Sequence, residues 1–414
     1  MSKKTAQAKN QPVSKRQHAV DYLLLVIVGL MPFHAFLVTA LGTHFGHETI
    51  FQAWKEVVLV IMVALVASLY SQKQLIERLR RPVNLTIVVF AVLALLISVF
   101  AGAIHQSAFW FGVKTDLEFL LIFILAQFTS AKLQKLAVLV LLCATTIVAA
   151  FGVLQVTVLP INFLAQFGYG PNTILPFELV NPAVPAVRIL STLGGPNQLG
   201  SFLILPICLM VYYLIKRRWI WLLPLAASIY ALWHTYSRSA EIGLAISLLL
   251  MLFITLKPRV RFIALGMIVV AGVVVGVLGR NAVLSSRTVQ AYLFHGDIRS
   301  NQVFGSDAAH LASVKQGLSL IGQQPLGRGL GTAGPASYHG SSSIITEDYY
   351  LQIGIETGLI GLLLFGVITV LTGVELFKLS DSALMGLPIL GALAGLTISN
   401  FFLHTWADSS TALT

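Results

Sequence analysis

Apolar runs dominate this chain, most of them close to the roughly 20 residues that cross a bilayer as a helix. They fall at Tyr22–Leu41, Phe51–Tyr70, Val83–Ala101, Asp116–Thr129, Leu136–Val156, Leu199–Ile215, Trp219–His234, Ile242–Thr255, Phe262–Leu278, Tyr349–Leu371 and Leu384–His404. None alternates polar and apolar residues as a membrane β-barrel strand does. The pattern predicts an all-α fold, a polytopic helical membrane protein with about 11 transmembrane helices. The fourth, seventh and eighth runs are short, and one of them is a candidate re-entrant segment. Residues 1–19 are polar and basic and read as a disordered cytoplasmic tail, leaving residues 20–414 as a single transmembrane domain. The first apolar run is too long for a signal peptide and lacks a small-residue cleavage site, so it is expected to stay as the first helix.

The loops between the runs sort by charge. Lys3, Lys4, Lys9, Lys15 and Arg16 lie in the tail; Lys73, Arg78, Arg80 and Arg81, then Lys132 and Lys135, then Lys216, Arg217 and Arg218, then Lys257, Arg259 and Arg261, and finally Lys378 follow in every second loop. This is the positive-inside pattern. It predicts a cytoplasmic N-terminus, an external C-terminus and two long external segments, 157–198 and 280–348, the second between helices 9 and 10.

Composition agrees. The 414 residues are 57% apolar and 10% charged, against about 25% charged in soluble domains, and the mean hydropathy is +0.84. The net charge of +11 sits in loops that would face anionic lipid headgroups, so no nucleic-acid partner is expected. Cys143 and Cys208 both fall within apolar runs, where core packing is the expected role and a metal site is not. No internal repeat of the transporter kind stands out.

The long segments carry the candidate chemistry. The first holds Pro160, Pro171, Pro176, Pro182 and Pro185 and ends in Gly194-Gly195-Pro196-Asn197, residues suited to a helix's first turn. In the second, Ala308, Leu311, Val314, Leu318 and Ile321 recur at helical spacing. Ser306 or Asp307 is placed to cap that amphipathic helix and Pro325 to stop it. The stretch Gly327-Arg328-Gly329-Leu330-Gly331-Thr332-Ala333-Gly334 follows no strand and is not a nucleotide loop. Two readings of it stand: tight turns needing positive φ, or close backbone approach to an anion.

Arg238, in Tyr236-Ser237-Arg238-Ser239-Ala240-Glu241, lies against the charge bias at an external boundary. It is either a snorkelling side chain paired with Glu241 or a bidentate anchor for phosphate. Arg188 is a second external guanidinium, and two near one face suit a diphosphate. Lys114 and Glu118, four apart, are expected to neutralise each other. Glu347 and Asp348 either favour the dipole of the tenth helix or supply a general base, which needs burial to be basic enough. His295, His310, His339, His404 and Asp408 are external, with no metal-ligand spacing.

Three segments together resemble the O-antigen ligase/polymerase family of bacterial membrane glycosyltransferases. They are Arg188-Ile189-Leu190-Ser191-Thr192-Leu193-Gly194-Gly195-Pro196-Asn197-Gln198-Leu199-Gly200, then Tyr236-Ser237-Arg238-Ser239-Ala240, then Pro325-Leu326-Gly327-Arg328-Gly329-Leu330-Gly331 with Glu347-Asp348-Tyr349-Tyr350-Leu351-Gln352 and Glu356-Thr357-Gly358-Leu359-Ile360-Gly361. The resemblance covers about 185–365, and its specificity lies in the order of the motifs. It implies transfer of a glycan from an undecaprenyl diphosphate donor to a hydroxyl of a glycan or glycolipid acceptor, without nucleotide sugar, metal or other cofactor. By motif match Arg238 becomes a diphosphate ligand. Where ligases begin the tenth helix with His, this chain has Glu347, and where they often carry Arg on the preceding external helix it has His310; the Glu-x-Tyr-Tyr branch matches better. The resemblance also implies one more helix beyond His404-Thr405-Trp406-Ala407-Asp408, leaving open whether the sequence is a piece of a longer chain.

The expectation is therefore a multi-pass protein of the bacterial plasma membrane with an external active site, working by inverting displacement. Glu347, Arg238 and His310 would carry the chemistry, and Arg188, Asn197, Arg328 and Tyr350 would hold substrate. The competing classes are a polysaccharide or lipid transporter and a non-catalytic scaffold.

Overall fold

The computed structural model describes residues 15–181, 184–257, 259–261, 305–340, 343–380 and 385–414. In chain order the helices are α1 (Lys15–Leu30), α2 (His34–Phe45), α3 (Glu48–Gln52), α4 (Trp54–Leu69), α5 (Gln72–Leu79), α6 (Pro82–Phe100), α7 (Ser107–Ala126) and α8 (Ala131–Thr157). A hairpin of β1 (Glu178–Asn181) and β2 (Val184–Arg188) follows. Then come α9 (Pro196–Ile215), α10 (Leu222–Trp233), α11 (Arg238–Thr255), α12 (Gly305–Gln323), α13 (Tyr349–Ser380), α14 (Gly386–Ser399) and the short α15 (Ser409–Ala412).

Among the described residues six helical stretches are long and apolar enough to cross a membrane, or seven if α4 and α5, bent by 118°, count as one. Several apolar crossings make this a multi-pass membrane protein. The about 11 expected runs have helical counterparts wherever they are described, but not all reach that length. The seventh and eleventh correspond to shorter apolar helices, and the fourth lies in α7 with Lys114, Asp116 and Glu118. The ninth, Phe262–Leu278, lies outside the described residues, as do residues 280–304 and most of the tail. Helix α1 begins at Lys15, so residues 15–19, expected in the tail, form its first turns.

Four local expectations need correction. The first long segment is not wholly irregular: β1 and β2 pair antiparallel, with Glu178 opposite Arg188 and Leu179 opposite Val187. Cross-strand hydrogen bonds satisfy backbone that has no helix to join. Cys208 is buried as expected, but Cys143 is exposed on the outer face of α8. Helix α12 buries only part of the stripe predicted. Leu311 and Leu318 are exposed, whereas Ile321 and Val314 pack against Leu351 and Ile355 of α13. Gly317 sits between them, where a Cβ would come within 3.0 Å of Leu351, so the missing side chain brings the two helices together.

The fourth correction concerns Lys114 and Glu118, which do not pair. Lys114 Nζ lies 2.7 Å from Glu56 Oε1, and Glu118 bonds Lys55. Lys55 also reaches Glu56 at 3.5 Å. Both ion pairs thus run between α4 and α7, and the buried Lys55–Glu118 pair gives each charge an opposite partner where little water reaches.

The tenth run is a helix folded on itself. Gly358 breaks α13 with φ 67° and ψ −175°. In a straight helix Tyr349 and Phe365 would be about 24 Å apart at 1.5 Å per residue, yet their ring centroids are 5.6 Å apart. The first nine residues of α13, buried except for the partly buried Tyr350, therefore lie back against the long apolar part beyond the break. Helices α11 and α14 pack antiparallel through small residues. A Cβ on Gly243 would come within 2.9 Å of the Gly395 carbonyl oxygen, and one on Gly391 within 3.0 Å of that of Ser247. Counting five residues from each side of that contact brings Arg238 and Asn400 to the same end of the bundle. Asn400 O accepts the Tyr349 N–H at 2.9 Å, which brings the start of α13 there too.

Gly358→Ala should lower the thermal unfolding midpoint of the detergent-solubilised protein. The left-handed backbone costs a non-glycine residue about 1–2 kcal/mol, and the new Cβ meets the Pro325 carbonyl oxygen. Gly366→Ala, in the same helix with open space around it, should leave the midpoint level or slightly raised. Equal midpoints for the two variants would show that the fold-back is not held at Gly358.

Candidate functional site

Arg188 is held by three partners at this end of the bundle. Its Nε donates to Thr235 O at 2.8 Å, one terminal nitrogen to Glu178 Oε2 at 3.1 Å and the other to Asn197 Oδ1 at 2.7 Å. One guanidinium thus joins β1, the α10–α11 turn and the first turn of α9. Pro196 opens α9 as its missing N–H allows, and this sets Asn197 facing Arg188. Burial lowers the Arg188 pKa, Glu178 opposes that fall and the positive charge of Arg238 adds to it. The two arginines therefore feel each other, as the pairing for a diphosphate requires.

Arg238 is the first residue of α11. The turn before it is tight: Tyr236 has φ 51°, Thr235 Oγ1 accepts the Ser237 N–H at 3.2 Å and Glu241 N–H returns to Ser237 O at 3.0 Å. Gly200 of α9 packs on Ala240 and Ser237, which ties this turn to Asn197. A cavity of about 310 Å³ opens beside it, walled by the end of α8 and by Pro176, Arg188, His234 and Tyr236.

The carboxylates at the start of α13 divide their roles. Asp348 Oδ1 accepts the Tyr350 and Leu351 N–H groups at 2.7 and 3.1 Å, so it caps the helix. Burial raises its pKa against those bonds and the nearby His310. Glu347 turns away, and its Oε2 lies 3.1 Å from His310 Nδ1. The His310 ring stacks on Phe402 with centroids 5.5 Å apart. Ser313 fastens the pair by accepting the Glu347 N–H at 3.2 Å and donating to Ile345 O at 3.2 Å. The Glu347 side chain is 51% exposed, so the burial that a strongly basic carboxylate needs is not met by this residue alone. Next to it Thr346 Oγ1 and His404 Nε2 are 3.4 Å apart, and Thr405 Oγ1 lies 3.4 Å from Ser201 of α9. Tyr350 is partly buried, with its hydroxyl on Thr397 O at 2.8 Å and its ring against Phe401.

Arg188, Asn197, Arg238, His310, Glu347 and Tyr350 thus share one end of the bundle. Arg328 is elsewhere. Its backbone N–H bonds Ile355 O at 2.9 Å, and it lines a separate cavity between α6 and α13. Both readings of its glycine loop hold in part. Gly327, Gly329, Gly331 and Gly334 all have positive φ. The loop does present its N–H groups to an oxygen acceptor, but the acceptor is the chain's own carboxyl: Glu356 Oε1 accepts from Gly331 and Ala333 at 3.0 and 3.1 Å.

Sequence reasoning missed the partner of that carboxylate. Asp116 Oδ1 accepts from Tyr349 and Gln352 at 3.1 Å each, and its side chain interacts with Glu356. Asp116 Oδ2 and Glu356 Oε2 are both buried without a donor. Two buried carboxyl groups that interact, each with an oxygen that meets no donor, are relieved when one proton is shared between them. Glu356, Lys55 and Glu56 lie in or beside apolar runs, and an ionisable residue there is the available signal. Glu178, by contrast, gave no signal before its strand was seen. Among the described residues no group of three or more His, Cys, Asp or Glu could hold a metal ion.

With this geometry in place, the comparisons bear directly on it. Residues 223–366 match the family model for O-antigen ligase. No curated protein matches the chain. The resemblance carried by the sequence motifs is therefore borne out over a stretch that includes Arg238, His310, Arg328, Glu347 and Tyr350.

Glu356→Gln should keep the fold close to wild type, because its amide oxygen still accepts the two loop N–H groups and its NH₂ supplies the donor that Asp116 needs. Glu356→Ala leaves two buried N–H groups unpaired at about 1–3 kcal/mol each and should lower the unfolding midpoint far more. Equal losses in a thermal scan would sink the shared-proton reading.

Proposed function

We propose that this chain transfers a glycan from undecaprenyl diphosphate to an acceptor hydroxyl at the external face of the bacterial plasma membrane. One observation carries the reading: two mutually felt arginines and a carboxylate–imidazole pair stand at one end of the bundle, and Arg238, Glu347 and His310 fall within the O-antigen ligase match. The alternating Lys/Arg content of the loops supports the external placement of that end and the cytoplasmic N-terminus.

Displacement at the anomeric carbon breaks its bond to the diphosphate oxygen and forms one to the acceptor oxygen from the opposite face. The bonding electrons leave with the diphosphate, and charge builds on its oxygens. Arg238 is the group to meet that charge, because fixed cations aimed at a developing anion lower the barrier most. Arg188 already spends a donor on each of three partners; it adds its field and places Asn197 and the Arg238 turn. The acceptor proton passes to Glu347 and His310. Glu347 Oε2 and His310 Nδ1 stand 3.1 Å apart, so the carboxylate and the imidazole can act on that one proton as a pair. Tyr350 and Asn197 border the substrate path.

Arg238→Ala should reduce glycan transfer about 10²–10³-fold. Glu347→Ala and His310→Ala should each reduce it about 10²–10⁴-fold. The measurement is consumption of undecaprenyl-diphosphate-linked glycan in membranes. Wild-type turnover in both Arg238→Ala and Glu347→Ala ends the mechanism, and movement of the lipid-linked glycan across vesicles without turnover favours a transporter.

A further inference from the structure

The cavity beside the Arg238 turn has no task in the transfer described above. It measures about 310 Å³, at the small end of the range for ligand pockets, about 300–1,000 Å³. The last turn of α8, the segment after it, β2 and the α10–α11 turn line it. It therefore opens where helices end. Irregular backbone of that kind does not face lipid tails, so the space suits a polar group and not an isoprenoid chain.

His234 is the side chain in it that no motif pointed to. Its Nδ1 lies 2.9 Å from Tyr230 O. A carbonyl oxygen only accepts, so this bond assigns the hydrogen to Nδ1 and leaves Nε2 of the neutral ring as an acceptor. The ring is held in place: its centroid is 4.2 Å from that of Tyr230 and 6.3 Å from that of Tyr236, and the His234 backbone oxygen takes the Ile189 N–H at 3.1 Å. Among the described residues Nδ1 is the only atom of this ring with a hydrogen bond. Arg188 lines the same cavity, and a guanidinium carries more N–H groups than its bonds to Thr235, Glu178 and Asn197 use. Pro176 and Phe177 add flat apolar surface. A fixed acceptor, spare donors and flat apolar walls around so small a space match one sugar ring, whose hydroxyls both donate and accept and whose C–H faces are apolar.

We propose that this cavity holds the donor sugar attached to the diphosphate, that His234 Nε2 accepts a hydrogen from one hydroxyl of that sugar, and that His234 thereby sets which donor is taken. The placement follows from Arg188, which lines the cavity and feels the charge of Arg238. A diphosphate at the arginine pair puts the ring bonded to it at the cavity. This rests on the transferase reading above and adds a specificity residue to it. A donor without the matching hydroxyl leaves the His234 acceptor unpaired, the kind of mismatch that polar sites reject most strongly.

The test is a comparison of ligands with and without the sugar. The full chain in phosphatidylcholine nanodiscs is titrated with undecaprenyl diphosphate, with undecaprenyl diphosphates carrying a single glucose, galactose, N-acetylglucosamine or N-acetylgalactosamine, and with the lipid-linked glycan extracted from the cells that make this chain. Wild type should bind at least one sugar-bearing ligand about tenfold more tightly than undecaprenyl diphosphate. His234→Phe keeps the ring and loses the acceptor; Ile161→Trp fills the cavity from its rim. Both should abolish that preference and leave the affinity for undecaprenyl diphosphate level. A wild type with no preference overturns the proposal, and so does a preference that survives in both variants. Equal weakening of all ligands in both variants makes the cavity part of the diphosphate or lipid site and also overturns it. If the preference is lost as expected but wild-type membranes consume no lipid-linked glycan, the sugar pocket stands and the transferase reading falls.

Discussion

A carboxyl group with no water around it must be given donors or a proton, and one oxygen of Glu356 has been given two donors. It takes the Gly331 and Ala333 N–H groups, and the same side chain interacts with Asp116. Much of the architecture depends on this contact. It pins the glycine loop to the first part of α13, and that loop in turn occupies the angle formed at Gly358, where the Leu359 N–H bonds Pro325 O at 2.9 Å. Asp116 carries the same contact to α7, and through Tyr349 and Gln352 back to α13. Without it, two helices and a loop would lose their shared reference point, and Glu347 and Arg328 would lose their fixed separation.

The same economy of donors shapes the other half of the site. Arg188 is held by a carboxylate, an amide and a carbonyl, each from a different element. A cation held so firmly keeps its charge where the fold puts it, and reorganises little when a neighbouring charge changes. That is the condition under which an electrostatic group contributes most to a transition state. Arg238 begins a helix two residues after Tyr236, which lines a cavity. In the proposed mechanism the two guanidiniums differ in task, one placing and one receiving.

The sequence shows where helices lie far better than it shows what holds them. Length and apolarity located α6, α8, α9 and α11 within a few residues, because a helix in lipid must satisfy its own backbone. The positive φ of the glycine loop was legible for a similar reason, since four closely spaced glycines have few other uses. The fold-back of α13 was not legible, because Gly358 is one of several glycines in that apolar run and looks like the others until Tyr349 is found against Phe365. Lys114 with Glu118 was misread for the opposite reason: the local i, i+4 rule was sound, but Lys55 and Glu56 from α4 offered each charge a closer partner. The Glu178–Arg188 pair needed a hairpin that hydropathy cannot signal. Of the candidate site, the individual residues were readable from their motifs; their division between two places was not.

In the proposed transfer, that division leaves room for two large substrates. A displacement between a lipid-linked donor and a glycan acceptor needs the two glycans to meet while the rest of each stays apart. The fold supplies the distance between the two places through α12, a rigid rod with its His310 end at the carboxylate–imidazole pair and its Gln323 end at the Arg328 cavity. The Gly358 break supplies the angle, because the buried start of α13 can approach the arginine end of the bundle only by leaving the path of its long apolar part. Straightening α13 would carry Glu347 away from the level of Arg238 and Asn400. Positioning and chemistry therefore rest on one backbone feature, and the left-handed glycine at the break is as much a part of the candidate site as the charged side chains around it.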